Sequence, residues 1–305
     1  MLTHAIEISN VTKRFGAVTA VADLSLSVPA GCVYGFIGPN GSGKTTTLRM
    51  IMSIFYPDTG SIRVFGEERG QACNDRIGYL PEERGLYQKM RVRDLLRFYG
   101  RLRAAADINQ EVDSWLERMD LAAWGDKKVE TLSKGMSQKV QFIAAVVGRP
   151  ELLILDEPFT GLDPINMDVL QQAVLEQRAN GTTVIFSTHD MNTAENMCDS
   201  IFMIFRGRKV LDGGLTEIQD RYGSDTVRVR IEGETGLLRE VPGVERVADR
   251  GHLQELRLAQ GSDSQQVLAA IAARARVTHF ELARPSLHDI FVRIAGPEGE
   301  ETTDA

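Results

Sequence analysis

The sequence holds no apolar run near the roughly 18 residues that a membrane-spanning helix needs. Its longest runs are short, among them Phe142–Val147, Val184–Phe186 and Ile201–Phe205, so the chain is not expected to cross a bilayer by itself. Cysteine is scarce. Cys32, Cys73 and Cys198 are odd in number, far apart and without metal-ligand spacing, a usage that suits ordinary buried thiols in a reducing cytosol. Positive charge is not in excess: 35 Lys and Arg stand against 42 Asp and Glu, a net charge of −7, which gives no reason to expect a nucleic-acid partner. The opening residues MLTHAIEISN lack a basic stretch followed by an apolar core, so no secretory signal is predicted and export is not expected.

What is present is ordinary globular material. At about 150 residues per domain, 305 residues suggest two domains, and 43% hydrophobic with 25% charged residues can build a sizeable core. The first ninety residues read as strands and turns: Ala5–Val11 and Val21–Val28 alternate, while Cys32–Ile37 and Ser61–Phe65 are further strand candidates. One helix interrupts them, from Gly43 to Phe55, directly after a glycine-rich turn and stopped by Pro57. Arg91–Val147 changes to helical spacing, with Leu95, Leu96, Phe98 and Tyr99, then Val112, Trp115, Leu116 and Met119, then Val140, Phe142 and Ile143. This predicts an inserted helical subdomain over about 88–150. Leu152–Leu155 and Thr183–Phe186 then flank a helical stretch around Met167–Arg178, the alternation of a buried parallel sheet. A first domain over 1–223 follows. The pattern restarts at Thr226–Ile231, and 224–296 reads as a small α/β sandwich, for which a ferredoxin-like arrangement is suggested. The polar, acidic residues 297–305 read as a disordered tail.

Chemistry concentrates at a few positions. Gly38-Pro39-Asn40-Gly41-Ser42-Gly43-Lys44-Thr45 fits G-x-x-x-x-G-K-[ST] between a predicted strand and a predicted helix, the context that motif requires. Its glycines let backbone N–H groups turn inward as an anion nest, and the following helix N-terminus adds its dipole. The pattern assigns Lys44 to the β- and γ-phosphates and the Thr45 hydroxyl to Mg²⁺, with Thr46 beside them in the nucleotide-binding set. Glu151-Leu152-Leu153-Ile154-Leu155-Asp156-Glu157 is an apolar strand ending in two carboxylates at the sheet edge where α/β folds place ligands. Asp156 is expected to hold Mg²⁺ through water, and Glu157 to orient or deprotonate the water that attacks the γ-phosphate. A strand-terminal acid alone is equally a helix cap.

Further segments give these motifs a family. Leu132-Ser133-Lys134-Gly135-Met136 resembles the signature loop of ABC-type ATPases, usually L-S-G-G-Q; Gly161-Leu162-Asp163 resembles their D-loop, and Ser187-Thr188-His189-Asp190 their switch-histidine segment. The order is the family's order. Phe15 falls where the family stacks an aromatic ring on adenine, and Tyr79-Leu80-Pro81-Glu82 falls at its Q-loop. Three departures stand out: Glu82 replaces the usual Gln, Lys134 the first signature glycine and Met136 the signature Gln. Glu82 adds a carboxylate that can take part in Mg²⁺ or water binding. YLPEERGLY together with LSKGM is similar to the sodium- and drug-export branch, and Pro285-Ser286-Leu287-His288-Asp289-Ile290-Phe291 resembles the PSL-x-DIF ending of that branch's accessory domain. His288 and Asp289 read more simply as the start of a helix capped by Ser286; His4, His252 and His279 carry no assigned role.

The resemblance implies a P-loop ATPase of ABC type, with a mixed sheet, an antiparallel β subdomain and the helical insertion, using ATP and Mg²⁺. It implies two ATPase subunits, as a homodimer, closing head to tail so that Ser133 and the backbone of Gly135 in one face the γ-phosphate held by Lys44 of the other. His189 then contacts the γ-phosphate from the side of Lys44, and Asp163 couples the two sites. A separate transmembrane permease is implied, docked on the helical subdomain and the segment near Glu82 that carries Arg84, Tyr87 and Lys89, with the chain cytoplasmic on the inner face of the cell membrane. Two alternatives remain at this stage. One is a soluble, non-transport ABC-type ATPase, against which stand one P-loop and no heptad run; the other is a nonhydrolytic regulatory module, against which stand Lys44, Asp156, Glu157 and His189.

Overall fold

The computed structural model describes residues 4–68, 75–83, 85–103, 108–223, 225–249, 251, 253–259 and 261–296. Cys73, Arg84, His252 and the tail 297–305 lie outside the described residues. Contacts divide the chain into two compact units, one running to Leu215 and the other beginning at Thr216.

In the first unit, β1 (His4–Phe15) and β2 (Val18–Pro29) pair antiparallel, with Ile6 opposite Val28, Ile8 opposite Leu26 and Val11 opposite Leu24. This register collects the alternating apolar residues on one face. Next come β3 (Val33–Ile37), α1 (Lys44–Ile51), β4 (Thr59–Val64) and β5 (Glu67–Glu68), and the strand order β2-β1-β4-β5 makes one antiparallel sheet. The first helix is shorter than its pattern predicts. Ser53 takes a left-handed φ of 56°, and the N–H groups of Ile54 and Phe55 both return to the Arg49 carbonyl, at 2.9 and 3.2 Å. That hydrogen-bonded turn ends the helix before Pro57 is reached.

The chain continues through β6 (Ile77–Leu80), α2 (Val92–Leu102), α3 (Ile108–Arg118), α4 (Lys134–Val146), β7 (Leu152–Asp156), α5 (Pro164–Ala179), β8 (Thr183–Thr188), α6 (Met191–Met197), β9 (Ser200–Phe205), β10 (Arg208–Gly214) and α7 (Leu215–Arg221). Six strands form a mixed sheet in the order β10-β9-β3-β8-β7-β6. Only the β9–β10 pair is antiparallel. The strands β3, β7 and β8 are buried on both faces, which explains why they read as continuous apolar runs rather than alternations. Leu153 and Leu155 join a core with α2, α3, α4 and α5. Leu152 and Ile154 join the opposite core, with α1 and the antiparallel sheet. The helical insertion is held on the first of these cores, where the rings of Trp115 and Phe142 meet edge to face at 5.9 Å.

The second unit contains α7 from Thr216 onward, β11 (Thr226–Glu232), β12 (Val244–Asp249), β13 (Gln254–Leu258), α8 (Ser264–Ala272), β14 (Arg276–Ala283) and α9 (Leu287–Ala295). Its four strands are antiparallel in the order β12-β13-β11-β14. This is the suggested ferredoxin-like pattern with one change: the crossover from β11 to β12 carries a short 3-10 turn, Thr235–Glu240, in place of a helix. The Ser286 side chain accepts from Asp289 N at 3.1 Å, so the helix-cap reading of that segment describes the geometry.

Replacing Phe142 by Ala removes a fully buried ring from between α4 and α3 of the insertion. A loss of about 3–5 kcal/mol is expected. Urea unfolding of the full chain checks it, and a loss below about 1 kcal/mol contradicts this view of the core.

Candidate active site

The loop after β3 is shaped by two glycines whose backbone excludes side chains. Gly38 has a φ of 156°, and a Cβ there would lie 2.2 Å from the Ile204 carbonyl oxygen and 2.8 Å from Ser42 Oγ. Gly43, at φ 113°, is the residue from which α1 starts, and its Cβ would lie 2.6 Å from the Ala20 carbonyl. Gly38, Pro39, Ser42 and Gly43 are buried, whereas Asn40 and Gly41 are exposed at the tip. Ser42 Oγ is buried with no hydrogen-bond partner, an orphaned donor inside the loop.

Lys44 opens α1 and is buried; its Nζ donates to Gly38 O at 2.6 Å and Pro39 O at 3.2 Å. Glu157 Oε1 lies 3.8 Å from the same ammonium. Burial pushes the Lys44 pKa down, opposed by the charges of Glu157, Asp156 and Glu82. Thr45 Oγ1 donates to Asp156 Oδ1 at 3.3 Å, and Thr46 is half-buried on the same turn.

Asp156 ends β7 with no exposure. Ser187 Oγ, at the end of the neighbouring β8, donates to its Oδ1 at 2.5 Å. The other oxygen, Oδ2, is buried without a partner. Burial pushes the Asp156 pKa up, against the bonds from Ser187 and Thr45. An orphaned carboxylate oxygen beside a threonine hydroxyl fits a hard divalent cation that keeps water and phosphate oxygens as its remaining ligands. Among the described residues no cluster of three His, Cys, Asp or Glu side chains could hold a metal by itself.

Glu157 follows in a left-handed conformation, φ 49°. Its N–H donates to Ser187 Oγ at 3.0 Å, so one serine ties both carboxylate residues to β8. Its Oε1 lies 3.1 Å from His189 Nδ1, and its Oε2 accepts from Thr160 Oγ1 at 3.0 Å. Lys44, Thr45, Asp156, Glu157 and His189 therefore meet in one place. Glu82 is exposed just beyond β6, near enough for its charge to act on Lys44 and Tyr79.

The remaining candidates sit apart from that cluster. Phe15, 45% exposed, meets Phe55 edge to face at 5.3 Å, and Lys13 Nζ lies over its ring, 5.5 Å from the centroid. Ser133 caps α4 by accepting from Met136 N at 3.3 Å. A Cβ on Gly135 would approach Asn166 Nδ2 at 3.0 Å, and one on Gly161 would strike Lys134 Nζ at 2.2 Å, so the signature segment packs on the first turn of α5 and the turn before it. Asp163 caps α5, accepting from Asn166 N at 3.0 Å, and these bonds hold its carboxyl below the usual range. None of the described hydrogen bonds of Ser133 reaches the Lys44 cluster. Sequence reasoning passed over Thr160, Gln138 and Gln141. Gln138 donates to Pro158 O at 3.0 Å and Gln141 to Pro81 O at 3.1 Å, and the available signal was two amides three apart on a largely buried helix.

A phosphate-type loop between strand and helix, with carboxylates at the end of a buried parallel strand, is the architecture of a P-loop nucleotide hydrolase. A family described as ABC transporter matches residues 21–160. A second, described as the C-terminal domain of DrrA1-3-like ATP-binding proteins, matches residues 213–295. The chain is 40% identical over 293 residues to the uncharacterized ABC transporter ATP-binding protein YhaQ of Bacillus subtilis (strain 168), covering 95% of this chain and 98% of that one. It is 35% identical over 305 residues to Nod factor export ATP-binding protein I of Paraburkholderia xenovorans (strain LB400), covering 97% and 99%. Among solved structures, an ATP-binding subunit of an ABC transporter superposes with a TM-score of 0.68 at 29% identity, over 72% of this chain and 93% of that chain. The chain belongs to the ATP-binding proteins of ABC transporters, a family of ATPases.

The raised Asp156 pKa has a stability consequence. The folded chain binds this proton more tightly than the unfolded chain, so the ionised carboxylate opposes folding above the usual carboxylate range. Asp156→Asn is expected to raise the thermal midpoint of the metal- and nucleotide-free chain at pH 7. The gain shrinks as pH falls toward ~4, where both states of the unsubstituted chain take up the proton. Calorimetry at several pH values checks this; an unchanged or lower midpoint at pH 7 contradicts it.

Proposed function

We propose that the chain is the ATP-hydrolysing motor of an exporter, energising a separate membrane-embedded permease through closure of an ATP-bound dimer. The observation that carries the reading is the meeting of Lys44, Asp156, Glu157 and His189, from three different segments, at one edge of the sheet. Lys44 exchanges two neutral carbonyl partners for the β- and γ-phosphates of ATP, and the orphaned Ser42 hydroxyl lies in the same cradle. Thr45 and Asp156 hold Mg²⁺, Asp156 through water, and the ion supplies charge neutralisation at the phosphates. Glu157 orients the attacking water and takes its proton, while His189 turns to the γ-phosphate. Phe15, 45% exposed, is the ring that stacks on adenine.

Ser133 and the backbone of Gly135, at the N-terminus of α4, face outward as donors for the γ-phosphate bound by a second copy. Asp163 lies in the adjoining segment and couples the two sites. The permease is assigned to a separate polypeptide, with this chain peripheral on the inner face of the cell membrane; no helix among the described residues is long and apolar enough to cross a membrane. Its docking surface is the aromatic strip on the insertion. Tyr87 is 57% exposed and meets Phe98 at 6.1 Å, which meets Tyr99 at 5.6 Å. Lys89 is paired with Glu130 at 2.8 Å and contributes less. A relative whose name concerns Nod factor export supports the exporter direction.

Glu157→Gln is expected to bind ATP as before, to lose turnover by at least a hundredfold, and to accumulate as a dimer with ATP and Mg²⁺ in light scattering. A monomer with normal turnover contradicts the mechanism. The partner assignment is tested by recovering the tagged chain from its native cells in mild detergent. A polytopic membrane protein is expected with the unsubstituted chain, and its recovery is expected to fall at least fivefold with Tyr87→Ala/Phe98→Ala. Ribosomal or DNA-repair partners across several detergents point instead to a soluble ATPase.

A further inference from the structure

We propose that Thr160 is the positioning residue that keeps Glu157 aimed at the attacking water once ATP has claimed the carboxylate's other partners. This rests on the reading of Glu157 as the group that orients that water. Glu157 Oε1 faces His189 Nδ1 at 3.1 Å and Lys44 Nζ at 3.8 Å. Both of those groups are assigned to phosphate, and a polyanion entering the loop draws them away from the carboxylate. Oε2 has a different kind of partner. It accepts from Thr160 Oγ1 at 3.0 Å, three residues along the chain and outside the phosphate loop.

That bond is made within a turn of the chain itself. Thr160 N donates to Glu157 O at 3.3 Å, so the two residues close one turn, and Leu162 N donates to Phe159 O at 3.3 Å in the next. Pro158 and Phe159 within the turn are buried, and Phe159 meets Phe186 edge to face at 5.6 Å, fixing the turn to the core beneath β8. Gln138 holds Pro158 O from the other side at 3.0 Å. The backbone of Glu157 is itself set by Ser187 and by its left-handed φ. Backbone restraint alone leaves the carboxylate free to rotate about its side-chain torsions, and a hydroxyl on a rigid turn removes that freedom. Thr160 is exposed, so removing its hydroxyl leaves the core untouched.

The test compares Thr160→Val, Thr160→Ser and Glu157→Gln in the full chain, measuring MgATP turnover and the affinity for a fluorescent ATP analogue. A hydrogen bond to a charged group corresponds to roughly a tenfold or larger effect when lost. Thr160→Val is expected to lower kcat about tenfold with KM and analogue affinity within twofold of the unsubstituted chain, and Thr160→Ser to recover most of that rate. The double variant Thr160→Val/Glu157→Gln should fall no further than Glu157→Gln alone. Wild-type turnover in Thr160→Val, equal damage in the Val and Ser variants, or a loss confined to affinity overturns the positioning role. Full turnover in Glu157→Gln overturns the assignment of Glu157 itself, a failure distinct from that of Thr160.

Discussion

The burial of charge at the carboxyl edge of one strand governs this structure. β7 is enclosed on both faces, and its last residue and the one after it are acids with almost no access to solvent. Two neighbouring buried carboxylates repel each other and lose hydration, so the surroundings must supply donors. They do so from several sides: Lys44 and Thr45 from the start of α1, Ser187 from the end of β8 and Thr160 from the following turn. At 3.8 Å and an effective dielectric of ~20, the Lys44–Glu157 attraction is about 4 kcal/mol before the cost of burying both charges, which offsets much of it. One oxygen of Asp156 nevertheless stays unsatisfied. The site carries an electrostatic debt that a cation can relieve.

Helix α4 connects this edge to the rest of the unit. Gln138 grips the turn after Glu157, and Gln141, one helical turn later, grips the backbone at Pro81, beside Glu82. The same helix begins at Ser133, whose hydroxyl caps it, and its far end lies against Arg103, which donates to Ala145 O at 2.8 Å. A shift of α4 therefore moves the turn behind the carboxylate and the segment after β6 together. Close-packed cores transmit such shifts instead of absorbing them.

Contiguous motifs were legible because the local chain supplies most of their geometry: a strand, a glycine loop and a helix N-terminus follow one another in β3 and α1. The strand-end pair Asp156–Glu157 was legible for the same reason, whereas His189 was legible through the resemblance of Ser187-Thr188-His189-Asp190 to the family's switch-histidine segment. The end of α1 was not, because Ser53 in a left-handed turn carries no strong residue signal. The strands β6 and β10 were not identified either: β6 is four residues long and β10 carries Arg, Lys and Asp, and their identity depends on pairing with β7 and β9. Thr160, Gln138 and Gln141 act through partners that only the folded chain brings within reach. The small unit shows the same division. Its strand order matches the suggested pattern, but the missing crossover helix was invisible in a segment with no helical periodicity to lose.

The left-handed backbone at Glu157 sets a direction for laboratory evolution of this chain. A glutamate at φ 49° holds a conformation that glycine or asparagine adopts at lower cost, by about 1 kcal/mol. Libraries selected for heat resistance alone will therefore enrich changes at this codon, and each such winner is a chain that folds better and no longer has the carboxylate. A thermostability campaign on this ATPase needs an activity gate at every round, because at Glu157 relaxing the left-handed backbone also removes the carboxylate.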